Sequence, residues 1–150
     1  MKYYNKSDLS KLGILQFMEK IECGKAMDLR QIIVNDLRFV FYDADVFRQG
    51  VCQLFAYALH QRFGYKVHII KAQNRCHIFC KTLDNQYVDV RGMTHSFNEF
   101  ICGLEFLDIK DDTSEAYSFS DDDFTGAYHN VALAFANAII EHDVQRYKAD

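Results

Sequence analysis

The stretch GVCQLFAYALHQRFGY, from Gly50 to Tyr65, constrains the chain most, because a helical stripe there runs directly into β-type sequence. Val51, Leu54, Phe55, Ala58 and Leu59 share one helix face, and Gly64 stands just past its end, where a left-handed cap favours glycine. The pattern predicts a helix of about 13 residues from Gly50, with Cys52 in its first turn. Three β-type runs follow: Lys66 to Lys71, Arg75 to Thr82 and Gln86 to Arg91, with Leu83-Asp84-Asn85 as a hairpin loop between the last two. Together these predict an antiparallel sheet packed behind a helix.

The flanks complete an α+β order of elements. Ser7 and Asp8 suit a helix N-cap, and Leu9, Leu12, Leu15, Phe17, Met18 and Ile21 recur at helical spacing up to Gly24, predicting a first helix over 8–22. A second helical pattern, Met27 to Leu37, runs into the cluster Phe39 to Tyr42. Residues 108–123 are polar and acidic and read as a loop, and Val131, Leu133, Phe135, Ala138 and Ile139 predict a closing helix over Tyr128 to Tyr147. No repeat, no Gly/Ser-rich linker and no proline divide the 150 residues, of which 49% are apolar, so residues 1–150 are expected to form one domain.

Charge narrows the function classes. Lys and Arg number 17 against 21 Asp and Glu, a net charge of −4, and no consecutive basic run exceeds two. A nucleic-acid groove or a patch for anionic membranes is not expected. The start, MKYYNKSDLSKLG, has no apolar leader region, and no run approaches the length of a membrane span. Five cysteines, an odd count, fit reduced thiols better than a disulfide framework. A cytoplasmic setting is expected, in the producing cell or in another cell that the protein enters as an effector.

Cys52, His77 and Asp89 occupy settings that a nucleophile, its base and its orienter need. A cysteine at a helix N-terminus meets the positive end of the macrodipole and free N–H groups, which favour the thiolate and can hold an oxyanion. An imidazole in reach takes the thiol proton, and a carboxylate fixes its tautomer. The hairpin supplies a geometric condition. With a loop of Leu83, Asp84 and Asn85, Phe79 lies opposite Asp89, and His77 becomes its diagonal neighbour on the same face. A loop one residue shorter would put Asp89 opposite Cys80 and turn it away from His77.

The same residues resemble the transglutaminase-like branch of the papain-like cysteine enzymes: a Gly50-x-Cys52 helix start, a His77-x-Phe79 strand and a Tyr87-x-Asp89-x-x-Gly92 strand. The resemblance covers residues 50–92. It implies a papain-like or transglutaminase-like α+β core in which N-terminal helices and a Cys-bearing helix pack on a small antiparallel sheet, closed by a C-terminal helix. It also implies an enzyme acting on amides of a protein or peptide through a Cys52 thioester, as a cysteine protease, a glutamine deamidase or an acyltransferase, without cofactor or metal. Many relatives use a Trp or an upstream Gln as a second oxyanion donor. This chain has no Trp. Gln49 and Asn74 are the side-chain candidates, and the Cys52 N–H is the backbone one.

Other readings compete. Cys52 alone would more often be a small core residue, His77 a satisfied strand histidine, and Asp89 a turn cap or a partner of Arg91. Cys76 and Cys80 flank His77 and invite a zinc site, but on an extended strand their Cα atoms stand roughly 13 Å apart, and they point away from His77. His60, His68, His95, His129 and His142 lack matched partners. The acidic segment lacks a calcium-loop pattern. Aromatics such as Tyr57 and Phe79 are candidates to line a cleft. The alternative from another class is a catalytically silent protein-binding module on the same scaffold.

Overall fold

In a computed structural model, which describes residues 3–20, 43–125 and 129–150, the first helix starts earlier and stops sooner than its apolar spacing predicts. Helix α1 spans Lys6–Ser10. Asn5 caps it by accepting from Asp8 N, while the Asp8 carboxylate accepts from Asn5 N. Gly13 then bridges Asp43 in an isolated antiparallel pair, and the chain continues as a 3-10 helix over Ile14–Lys20. Leu9, Ile14 and Phe17 are buried regardless, so the spacing recorded a buried face rather than one unbroken helix. The pattern from Met27 to Leu37 and the cluster Phe39 to Tyr42 lie outside the described residues.

A 3-10 turn at Ala44–Phe47 leads into helix α2, Cys52–Phe63, which ends at Gly64 with φ 72°, the left-handed cap expected from its sequence. Strands β1 (Lys66–Ala72), β2 (Arg75–Lys81), β3 (Tyr87–Asp89) and β4 (Gly92–Thr94) form an antiparallel meander. Strand β5 (Glu115–Ala116), inside the segment expected to be loop, pairs with β1 to give the order β4-β3-β2-β1-β5. Lys81 faces Tyr87 and Cys80 faces Val88, so the hairpin has the register that the Leu83-Asp84-Asn85 loop predicts. Strand β3 is shorter than Gln86 to Arg91, because Asp89 faces Gly92 and the chain turns back over Val90 and Arg91.

Both faces of the sheet are covered. On one, α2 packs against β2 and is backed by α4, His129–His142. Phe47, Phe55, Phe135 and Tyr147 make a run of tilted ring contacts there, with centroids 5.3–5.6 Å apart. The expected single C-terminal helix is interrupted at Asp143, and a short α5, Val144–Tyr147, carries Tyr147 into this core. On the other face, α3 (Phe97–Cys102) and the chain after it bury Phe79, Tyr87, Phe100, Leu104 and Leu107. Sequence reasoning passed over α3, although Ser96-Phe97-Asn98-Glu99 has capping-box spacing and Ser96 Oγ accepts from Glu99 N at 3.1 Å. Among the described residues, no helix is long and apolar enough to cross a membrane.

Candidate active site

The site forms where the β2–β3 ladder opens. Thr82 N donates to Gln86 O at 3.0 Å, and Cys80 faces Val88, so the same register continued would send Ile78 N to Val90 O. That bond is not made. Val90 O accepts instead from the Tyr147 hydroxyl at 2.7 Å, and Ile78 N donates to Cys52 Sγ at 3.3 Å. The first residue of α2 therefore puts its sulfur where a strand partner would have been.

His77 stands one residue before Ile78, on the sheet face opposite α2. Its ring lies parallel to Phe79, with centroids 6.0 Å apart and planes 10° apart, and it also touches Phe100. His77 Nε2 is 3.0 Å from Asp89 Oδ2, the diagonal contact that the hairpin register predicts. An ionised carboxylate only accepts, so the ring proton sits on Nε2 and Nδ1 carries the free lone pair. Nδ1 is buried and has no hydrogen-bond partner among the described residues. A buried polar atom left unsatisfied requires an explanation, and here the neighbouring thiol supplies one.

The ionisation of the pair bears the marks of that closeness. Burial pushes the Cys52 thiol up, but His77 and the N–H groups of Ile78 and Gln53 more than reverse this and hold it below the ordinary thiol value. For His77, burial disfavours the charged ring, yet Asp89 and the Cys52 sulfur raise it above ordinary imidazole. The two shifts run in the directions that favour a thiolate–imidazolium pair.

Asp89 is held by more than His77. Arg91 donates to it through Nη2 at 2.6 Å, Nε at 3.1 and 3.2 Å, and its backbone N at 2.9 Å, while Arg91 Nη1 donates to Phe100 O at 2.9 Å. Tyr3 Oη adds a fourth group at 3.3 Å, and its ring covers the Arg91 guanidinium. Burial alone would raise the Asp89 carboxyl, but Arg91 and then His77 keep it far below the usual carboxylate range. Orienting His77 and pairing with Arg91, alternatives in the sequence, are thus simultaneous here. Nothing in the sequence marked Tyr3, because only the fold brings the N-terminus across β3.

Cys52 is 6% exposed and opens onto a cleft of about 470 Å³ lined by Gln49, Gln53, Arg75, Ile78, Phe106 and Tyr117 among others. Gln49 thus lines the same cleft as the sulfur. In the amide orientation that satisfies both groups its Oε1 accepts from Arg48 Nη2 at 2.7 Å, which leaves its NH₂ as a donor. Asn74 is not brought to this cleft: it lines a neighbouring hollow shared only through Arg75 and Phe106. The N–H groups of Cys52 and Gln53, first in α2, have no acceptor one turn back within the helix. The candidate cleft aromatics are corrected too. Phe79 is fully buried beneath His77, and Tyr57 packs on Phe119 and Phe124, whereas Phe106 and Tyr117 line the cleft.

Cys80 is buried and its thiol donates to Ala56 O at 3.3 Å, while Cys76 is exposed. Among the described residues, no three His, Cys, Asp or Glu side chains gather in a way that could hold a metal ion. Compared with known proteins, the chain matches no family model, no curated protein and no solved structure.

Proposed function

We propose that this protein is a thiol-dependent amide-processing enzyme that works through a thioester on Cys52, with a papain-like or transglutaminase-like core and a protein or peptide substrate. One observation carries the reading. A cysteine at a helix N-terminus sits beside a buried imidazole whose Nδ1 has no other partner and whose Nε2 is fixed by Asp89 at 3.0 Å. The resemblance of residues 50–92 to the transglutaminase-like enzymes supports it.

The chemistry follows from the placement. The Cys52 thiolate attacks a carboxamide or peptide carbonyl presented in the cleft, and the oxyanion is held by the Cys52 N–H, with the Gln49 carboxamide lining the same cleft as the candidate side-chain donor. The His77 imidazolium protonates the departing amine or ammonia. Water or a second amine then attacks the thioester, with neutral His77 taking its proton. Because Asp89 is already paired with Arg91, its work is chiefly to hold the imidazole in one tautomer and one orientation.

Incubating a peptide mixture with the protein and with Cys52→Ala, then comparing the two by mass spectrometry, tests the proposal. New termini identify a protease, a gain of about one dalton at Gln a deamidase, and amine adducts at Gln an acyltransferase. Identical profiles from the two proteins, with the binding of a partner retained by Cys52→Ala, would replace the enzyme with a silent binding module.

A further inference from the structure

A second thiol faces the cleft, and the amide chemistry makes no use of it. Cys76 lines the same cleft as Cys52 and is exposed there. It lies on β2 one same-face step, about 6.6 Å, before Ile78, whose N–H holds the Cys52 sulfur. Both thiols therefore meet the same cleft, and the charge on Cys52 is felt at Cys76. Cys76 is also next to the β1–β2 turn, where Gln73 and Asn74 separate the strands, so its backbone is at the end of the ladder rather than in its middle. The other described thiols are placed differently. Cys80 is buried and bonded to Ala56 O, and Cys102 is on α3, over the opposite face of the sheet.

We propose that Cys76 is a resolving thiol for Cys52, so that hydrogen peroxide entering the cleft converts the pair into a reversible disulfide. The inference rests on Cys52 being the reactive thiolate. In the first step the Cys52 sulfur attacks one peroxide oxygen. The S–O bond forms, the O–O bond breaks, and the leaving hydroxide takes a proton from the His77 imidazolium and departs as water. Sulfur loses two electrons and peroxide gains them, giving a sulfenic acid. In the second step the Cys76 sulfur attacks the Cys52 sulfur. The S–S bond forms, the S–O bond breaks, and the hydroxyl leaves as a second water with the proton from Cys76.

The electrostatics order the two steps. Burial and then the negative charge on Cys52 push the Cys76 thiol above its ordinary value. A sulfenic acid is neutral, so the first step removes that repulsion and makes Cys76 easier to ionise than before it. A dithiol reductant reverses the bridge by exchange and is itself oxidised to a disulfide. The pair would shelter the reactive sulfur from irreversible oxidation.

Stoichiometric hydrogen peroxide on the reduced 150-residue protein, followed by alkylation and peptide mapping, reads this directly, with Cys76→Ser alongside. The expected result is a peptide linked through Cys52 and Cys76, and a Cys52–dimedone adduct about tenfold weaker in the unmodified protein than in Cys76→Ser. Dithiothreitol should restore iodoacetamide labelling of Cys52 in the unmodified protein, while repeated peroxide carries Cys76→Ser to sulfinic acid that it does not restore. Equal dimedone trapping in the two proteins, or a bridge from Cys52 to another cysteine, would overturn the proposal while leaving the amide chemistry standing. Failure of reduced Cys52 to react selectively with iodoacetamide would instead remove the thiolate itself, and this inference with it.

Discussion

Replacing Arg91 with Met tests whether the buried Asp89 carboxylate needs the Arg91 guanidinium as its counter-ion. Both side chains are at most 3% exposed, and Arg91 gives Asp89 three guanidinium contacts of 2.6–3.2 Å. Met fills a similar volume but leaves the carboxylate with only His77, Tyr3 and the backbone N of residue 91. Removing one partner of a buried ion pair costs about 3–5 kcal/mol, because the other charge stays desolvated. At roughly 2–4 °C per kcal/mol for a chain of this size, the melting temperature should fall by about 10 °C. The double variant Arg91→Met, Asp89→Asn should recover most of this loss, since it removes the stranded charge and keeps an acceptor for His77. Urea denaturation of the four proteins of the cycle measures the coupling. A single Arg91→Met that costs less than about 1 kcal/mol, or a double variant no more stable than the single, would refute the view that Asp89 needs its counter-ion.

Three further expectations follow from the same contacts. Gly103→Ala would place a methyl group against Arg91 Nη1, so it should destabilise the protein by about 1–3 kcal/mol and slow Cys52 alkylation; an unchanged urea midpoint would contradict this. Tyr147→Phe leaves the buried Val90 O without its donor and should cost about 1–3 kcal/mol in urea at an unchanged m-value, whereas a neutral result would mean that water reaches the opened ladder. The folded Asp89 carboxyl ionises far below its unfolded counterpart. Its contribution to stability is therefore complete above about pH 4 and is lost as the pH falls further, so stability should drop less steeply below pH 4 in the Arg91→Met, Asp89→Asn variant.

What the sequence disclosed and what it concealed divide along physical lines. The α2 stripe with Gly64 beyond it and the loop at 83–85 are local signals, and the fold keeps them: the left-handed Gly64 and the pairing of Lys81 with Tyr87 are where the residues place them. Periodicity misled at the N-terminus, because Leu9, Ile14 and Phe17 bury one face whether the backbone is one helix or a helix, a bridge and a 3-10 segment. The break at Asp143 was hidden for the same reason. The interactions that complete the site have no local signal at all. Tyr3 reaches Asp89 across 86 positions of sequence and Tyr147 reaches Val90 across 57, and only tertiary packing makes those pairs. Arg91 was visible as a neighbour of Asp89, but that one carboxylate would serve both Arg91 and His77 depended on the depth at which all three are buried.

The most direct test of the central claim is the order in which the cysteines react. Cys76 and Cys102 are exposed and Cys52 is 6% exposed, so access alone ranks Cys52 behind both. On the proposed reading, activation by His77 and the α2 N-terminus should reverse that order. Site-resolved alkylation of the reduced protein by iodoacetamide, followed from pH 5 to pH 9, should show Cys52 labelled first throughout, with its rate rising at a lower pH than the other thiols. In His77→Ala that advantage should disappear. Labelling of Cys76 and Cys102 ahead of Cys52, with no change on removing His77, would contradict the assignment of Cys52 as a thiolate nucleophile.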